Sequence, residues 1–211
     1  MADTSFGGLP LTFGLVAGVA LAAAVRRRVG SRALPVDVDA GVRGYLQANK
    51  HFAAGRPLPK GFNYNSMHDF VLDRGRVYPS EALTPAEHKL LKVAAGRRKF
   101  LKKECFYNAH MLVMQDMTDT LAYTEGWAFG SIMPVHHGWV TLNGKVVDLT
   151  WDKEGQPIKG TLPEGWEYYG VEFTDKRALL ERMARTGQAA SVIDDYREGF
   201  PVLQWDRLSP P

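Results

Sequence analysis

Asn143 and Gly144 stand between two runs of residues that favour β-strands. Both central residues of a type I′ turn need a positive φ, and Asn-Gly is the pair that most readily supplies it, so a two-residue hairpin is predicted. Such a turn also sets the register of the two strands. Three cross-strand pairs follow from it: Val140 with Val147, Thr141 with Val146, and Leu142 with Lys145.

The hairpin register brings a histidine near a carboxylate. Side chains alternate across a strand, so His137, Trp139 and Asp148 share one face of the hairpin, whereas His136 points to the other. Continuing the pairing places Trp139 opposite Asp148. His137 and Asp148 are then diagonal neighbours, about 7–8 Å apart between backbones. The register therefore favours His137 over His136, although a three-residue loop would reverse the choice.

The only cysteine, Cys105, lies at the start of a predicted helix over residues 105–116. Apolar side chains recur there with helical spacing: Phe106, Ala109, Leu112 and Val113. Unpaired N–H groups and the positive end of the helix dipole favour a thiolate at this place, and Lys102 and Lys103 add positive charge. A single cysteine excludes an intrachain disulfide and a multi-cysteine zinc site, and it suits a reducing compartment.

Four short motifs occur in the order expected of a thiol enzyme: Cys-x-x-Asn-Ala from residue 105, Tyr-x-Glu-Gly from 123, His-Gly-Trp from 137 and Val-Asp-x-Thr-Trp from 147. Together they resemble the transglutaminase-like branch of the papain-like thiol enzymes, over about a quarter of the chain. The resemblance implies Cys105 as nucleophile, His137 as general base and Asp148 as the group that orients the base. It also implies a reaction that needs no metal or organic cofactor.

The chain departs from the papain pattern at the oxyanion site. Papain-type members carry a glutamine a few residues before the cysteine, and residues 99–103 contain none. The Cys105 N–H with an upstream side chain, such as Asn63 or Asn65, is the alternative. Three further residues are candidates for substrate binding: Trp139, Glu125 and Asn108. For Trp139 the first interpretation is shielding of the site and core packing, with substrate contact second, and Glu125 equally suits a solvent-facing position on its strand.

The fold expected from these features is α+β, with helices packed on an antiparallel sheet, a papain-like or transglutaminase-like core and an N-terminal apolar helix. Residues 36–211 form the domain. Its expected function is that of a thiol-dependent acyl-transfer enzyme, a peptidase, amidase or acyltransferase that acts on a peptide, amide or thioester. The alternative is a catalytically inactive, membrane-tethered binding module of the same fold. A metal site at His136 and His137, with Asp148 or His110, is a third interpretation.

Residues 1–35 form an apolar segment with a basic flank. Residues 9–25 carry no charge, and three arginines follow at 26–28. Because the positive charge comes after the apolar run, an uncleaved membrane anchor with the domain on the cytoplasmic side is favoured over a cleaved signal peptide. Seventeen helical residues would span about 26 Å, the short end for a membrane crossing. A helix packed on the domain, or a partner, in a cytoplasmic protein is the alternative.

The net charge of +3 permits anionic partners without requiring them. The basic run at residues 97–103 is most simply a solvated connector, and no recognised motif supports specific nucleic-acid binding. Elsewhere, Thr84, Pro85 and Glu87 form a capping-box helix start, and Gly96 ends the helix. The buried face expected of this helix consists of Leu90, Leu91, Val93 and Ala94. A strand at 166–174 and helices at about 175–185 and 191–197 complete the expectation.

Overall fold

The computed structural model of the chain describes residues 41–78, 81–97, 99–130, 132–151 and 166–207. The expected N-terminal apolar helix and the anchor at residues 9–25 lie outside these ranges. Within them, no helix is both long enough and apolar enough to cross a membrane.

The described part of the chain forms five antiparallel strands in one sheet, in the order β1-β5-β2-β3-β4. The strands are β1 Arg76–Tyr78, β2 Leu121–Phe129, β3 Val135–Leu142, β4 Lys145–Val147 and β5 Glu167–Phe173. Five α-helices accompany them: α1 Val42–Ala54, α2 Met67–Arg74, α3 Pro85–Ala95, α4 Cys105–Gln115 and α5 Lys176–Thr186. The expectation of an α+β fold with helices on an antiparallel sheet is confirmed.

The predicted turn between β3 and β4 is present. Asn143 has φ 52° and Gly144 has φ 78°, as a type I′ turn requires. The three predicted cross-strand pairs are all formed. However, β4 ends at Val147, so the expected pairing of Trp139 with Asp148 is wrong. The chain turns away instead, because one carboxylate oxygen of Asp148 accepts the backbone N–H groups of Thr150 and Trp151.

Helix α3 begins with the predicted capping box. The Thr84 hydroxyl accepts the N–H of Glu87, and the Glu87 carboxylate accepts the N–H of Thr84 at 2.7 Å. Leu91 and Ala94 are buried as expected. Leu90 and Val93 are exposed, which corrects the expectation that they also face the core. Only a narrow stripe of this helix therefore contacts the domain.

The main core lies between the helices and one face of the sheet. That face contributes mainly large apolar side chains: Tyr123, Trp127, Val140, Val147, Val171 and Phe173. The opposite face carries a smaller cluster: Tyr78, Ala128, Trp139, Val146 and Tyr168, with Trp151 and Trp166 at its edge. Trp139 extends across the sheet over Gly170, where an added Cβ would lie 2.5 Å from the indole ring. Both layers are needed to enclose β3, which carries the histidines.

Candidate active site

Cys105 is the first residue of helix α4 and is half-buried. The preceding residue, Glu104, makes no side-chain hydrogen bond to the first turn of the helix. The backbone N–H groups of Cys105 and Phe106 thus have no hydrogen-bond partner among the described residues. An uncapped helix start of this kind favours negative charge on the sulfur or on a bound oxygen.

His137 lies between Asp148 and Cys105. Its Nε2 atom is 2.6 Å from Oδ2 of Asp148, and both side chains are buried. The other ring nitrogen, Nδ1, remains for the thiol, and the nearby Cys105 contributes to the raised pKa of the imidazole. The structure therefore brings together the three side chains that the sequence singled out, in the order sulfur, imidazole, carboxylate.

The Asp148 carboxylate is held from several directions. Oδ2 also accepts the Tyr168 hydroxyl at 2.9 Å, while Oδ1 accepts the N–H groups of Thr150 at 2.9 Å and Trp151 at 3.2 Å. Burial tends to raise the pKa of Asp148. The charge and hydrogen bond of His137, with the two backbone N–H groups, outweigh burial and hold that pKa below its usual value. Asp148 is thus an ionised, fixed partner for the imidazole.

The imidazole of His137 is held in its protonated form. Burial tends to lower its pKa, but the charge and hydrogen bond of Asp148, together with Cys105, raise the pKa to about 9. The Trp151 ring stacks on the imidazole with centroids 4.0 Å apart and an angle of 10° between planes. Trp151 therefore fixes the plane of the imidazole ring, while the hydrogen bond to Asp148 fixes the rotation of the ring within that plane.

The early end of β4 gives the thiol access to His137. Beyond the Val140–Val147 pair, β3 keeps β2 on one side but has no strand on the other side among the described residues, and Cys105 lies in the narrow space that this leaves. The space is lined by Gly138 of β3 and by residues that follow β4, including Leu149 and Thr150. Helix α4 approaches closely because residue 138 has no side chain: an added Cβ would lie 2.8 Å from Cδ1 of Phe106.

Replacing Gly138 with alanine should displace Phe106 and, with it, the neighbouring Cys105. We expect alkylation of Cys105 by iodoacetamide to slow several-fold and the free energy of unfolding to fall by about 1–3 kcal/mol, as for other overpacked sites. Intact-mass kinetics and urea denaturation measure the two effects. Gly55→Ala is the matched control, since an added Cβ there meets nothing within 4 Å. Equal alkylation rates for the two variants would contradict the close-approach argument.

Asn108, expected to bind substrate, is buried and fully occupied. Its Oδ1 accepts the N–H of Leu101 at 2.9 Å, and its Nδ2 donates to the Leu101 carbonyl at 2.7 Å and to the Thr150 hydroxyl at 2.9 Å. Burial and saturated hydrogen bonding argue against contact with a substrate. Asn108 instead ties the connector before α4 to the loop that carries Asp148.

Glu125 and Trp139, the other expected substrate contacts, are also buried. Glu125 accepts hydrogen bonds inside the domain, so it does not face solvent as the alternative expectation had it. Trp139 packs between Tyr78 and Tyr168 on the far face of the sheet. For both residues the geometry favours a role in the interior over contact with a substrate.

The suggested upstream oxyanion donors are placed elsewhere. The Asn63 amide donates to the carbonyls of Gln204 and Trp205, and the Asn65 N–H donates to Asp69. Neither asparagine lines the space around Cys105. The suggestion that one of them joins the oxyanion site is therefore wrong, and the N–H groups at the start of α4 remain as candidate donors.

An open groove of about 440 Å³ leads from the surface to Cys105. One side consists of residues 103–107, and the other is the segment 187–190, which follows helix α5. We call residues 187–190 the far wall. The volume lies within the roughly 300–1,000 Å³ of small-ligand pockets. Sequence reasoning missed the far wall, whose residues are small or uncharged and lie about eighty positions from Cys105.

Sequence reasoning also missed Tyr168 and Thr150 as partners of the site. A tyrosine in a strand and a threonine in a loop are both common. Only their hydroxyl groups could have indicated a polar contact in the site. Among the described residues, no three His, Cys, Asp or Glu side chains converge as a metal site would require.

Comparison of the chain with protein-family models, with curated proteins and with solved structures finds no match in any of the three sets.

Proposed function

We propose that the protein is a thiol-dependent acyl-transfer enzyme with a papain-like or transglutaminase-like core, acting on a peptide, amide or thioester. The observation that carries the proposal is a thiol at an uncapped helix start, next to an imidazole whose other nitrogen is 2.6 Å from a buried carboxylate. Each part supplies what thiol chemistry needs: a sulfur, a proton carrier and a group that keeps the carrier oriented.

Cys105 and His137 together would perform the first half of the reaction. The Cys105 thiolate attacks the carbonyl carbon, a C–S bond forms, and the carbonyl π electrons move to oxygen. The N–H groups of Cys105 and Phe106 stabilise that oxyanion. As the tetrahedral intermediate collapses, the C–N or C–S bond to the leaving group breaks, and protonated His137 gives its proton to that group.

Deacylation reverses these roles. Neutral His137 now takes a proton from a water molecule or an amine, which attacks the acyl carbon. The C–S bond breaks and the electron pair returns to sulfur, which restores the thiolate beside the imidazolium. Asp148 stabilises the cation in both halves, and its several hydrogen bonds keep it from rotating away.

The sequence supports one proposal about location. The uncharged residues 9–25, followed by three arginines, suit a membrane tether with the catalytic domain on the cytoplasmic side. A reduced Cys105 is expected in that compartment.

Screening the protein and its Cys105→Ala variant against peptide, amide and thioester libraries tests the function. An acyl group captured on the enzyme should add its mass to the wild type and not to the variant. Because the chain has a single cysteine, the adduct can be assigned without digestion. Neutral hydroxylamine should release the group, since the bond is a thioester.

The opposite result would favour the inactive binding module. In that case no library class acylates the protein, and Cys105 reacts with iodoacetamide no faster than free cysteine does at the same pH.

A further inference from the structure

The two sides of the groove beside Cys105 are fastened to the same buried carboxylate. Glu125 lies in β2, has no exposed surface, and belongs to neither side of the groove itself. Its carboxylate nevertheless contacts the segment that continues the far wall and the residues that support the start of helix α4.

On the far-wall side, the carboxylate binds the three residues directly after Ala190. Its oxygens accept the N–H of Val192 at 2.7 Å and the N–H of Ile193 at 3.1 Å, and the Ser191 hydroxyl donates to Oε1. Arg182 of helix α5 holds the same segment by donating to the carbonyls of Ala190 and Ser191. The segment 190–193, which continues the far wall, is therefore held by a buried carboxylate and a buried guanidinium group.

On the cysteine side, the carboxylate binds residues beneath the first turn of α4. Oε2 accepts the Tyr123 hydroxyl at 2.6 Å. Oε1 lies 2.8 Å from Nε2 of His136. The His136 ring in turn packs against Phe106, with centroids 5.2 Å apart. Phe106 lines the groove next to Cys105, so this contact supports the cysteine side of the groove.

The ionised form of Glu125 suits this arrangement. Burial tends to raise its pKa, but the neighbouring His136 and the hydroxyl groups of Ser191 and Tyr123 outweigh burial and lower the pKa to about 2. A carboxylate accepts from several donors at once, whereas an amide of the same shape would point its NH₂ group at some of them. Filling the core alone does not call for a buried charge with so many partners.

We propose that Glu125 is a positioning residue that sets the width of the groove, and hence the affinity for the part of the substrate that lies between Phe106 and Ala189. This inference rests on the thiol-enzyme function proposed above. The sulfur, His137 and Asp148 make none of their own hydrogen bonds to Glu125. Loosening Glu125 should therefore weaken occupancy of the groove more than the reactivity of the thiolate.

Two alkylating reagents separate these effects. Iodoacetamide is small enough to report the thiolate alone, whereas N-benzyl iodoacetamide places an aromatic group in the groove. With the wild type, alkylation of Cys105 by the benzyl reagent should saturate. Ser191→Ala and Glu125→Gln should raise its half-saturating concentration at least fivefold and leave the iodoacetamide rate within twofold. Ser191→Thr, which keeps the hydroxyl, should restore the wild-type value.

Ser66→Ala is the matched control. It also removes a part-buried hydrogen bond of a serine hydroxyl, the cap of helix α2, but it lies outside the groove. Its half-saturating concentration should equal that of the wild type. If Glu125→Gln does not fold, the Ser191 variants decide the question.

The outcomes distinguish the two proposals. If Ser191→Ala changes neither reagent, or slows both equally, Glu125 is merely structural and the inference is overturned. If iodoacetamide reacts with the wild type no faster than with free cysteine, and His137→Ala makes no difference, the proposed function fails and the inference falls with it.

Discussion

Alkylation of Cys105 by iodoacetamide at pH 6 is expected to slow at least tenfold when His137 is replaced by alanine. In the wild type the imidazolium, whose pKa is about 9, lies beside the sulfur and stabilises its negative charge. Without it the thiol has no adjacent cation, and ordinary thiols are mostly protonated at pH 6. Turnover of any substrate found by screening should fall by about 10²–10⁴-fold, the usual contribution of a general acid or base.

The pH dependence of the alkylation rate, compared between the wild type and His137→Ala, is the sharper measurement. The difference from the wild type should shrink as the pH rises towards 10, because thiols in general are thiolates there whether or not a cation is near. His51→Ala is the control, since His51 is exposed on helix α1. Similar alkylation rates for the wild type and His137→Ala at pH 6 would show that the imidazole takes no part in the reaction of the thiol.

Replacing Asp148 with alanine should lower the free energy of unfolding by about 3–5 kcal/mol at pH 7, the usual cost of removing one partner of a buried ion pair. The melting temperature should fall by roughly 10 °C in a chain of this size. The large effect is expected because His137 loses its carboxylate, and Tyr168 with two backbone N–H groups loses an acceptor. Asp194→Ala, at an exposed carboxylate, should change stability by less than about 0.5 kcal/mol.

The ion pair of His137 and Asp148 also makes the free energy of unfolding depend on pH. The folded-state pKa of His137, about 9, is raised above the ordinary 6.5. Its stabilising contribution is therefore fully present below about pH 6.5 and is lost as the pH rises through 9. Urea denaturation at pH 6, 7.5 and 9.5 should show this loss in the wild type and not in Asp148→Ala. Parallel pH profiles would contradict the assignment of the pair.

Local signals in the sequence account for the elements that carry the candidate triad. Asn143-Gly144 is a turn with one favourable backbone conformation, and it sets the register that brings His137 towards Asp148. The capping box at Thr84 and the apolar spacing after Cys105 act within one or two helical turns. Such features depend on neighbours in the chain, so one sequence suffices to predict them.

Other features depend on contacts between distant segments and were not predictable in the same way. Helix α1 was missed because it begins after Gly41 without a side-chain cap and only three of its thirteen residues are buried. The helix expected at 191–197 is only a 3₁₀ turn, Tyr196–Glu198, because Glu125 engages the N–H groups at Val192 and Ile193. The burial of Glu125 and the far wall of the groove likewise arise only when β2 meets the segment after α5.

The lengths of the outermost strands bear on how the protein behaves at high concentration. In the described sheet both edges, β1 and β4, are only three residues long. A short edge presents few unpaired N–H and C=O groups, so another molecule finds little backbone on which to extend the sheet. Strand-to-strand aggregation through β1 or β4 should accordingly be weak.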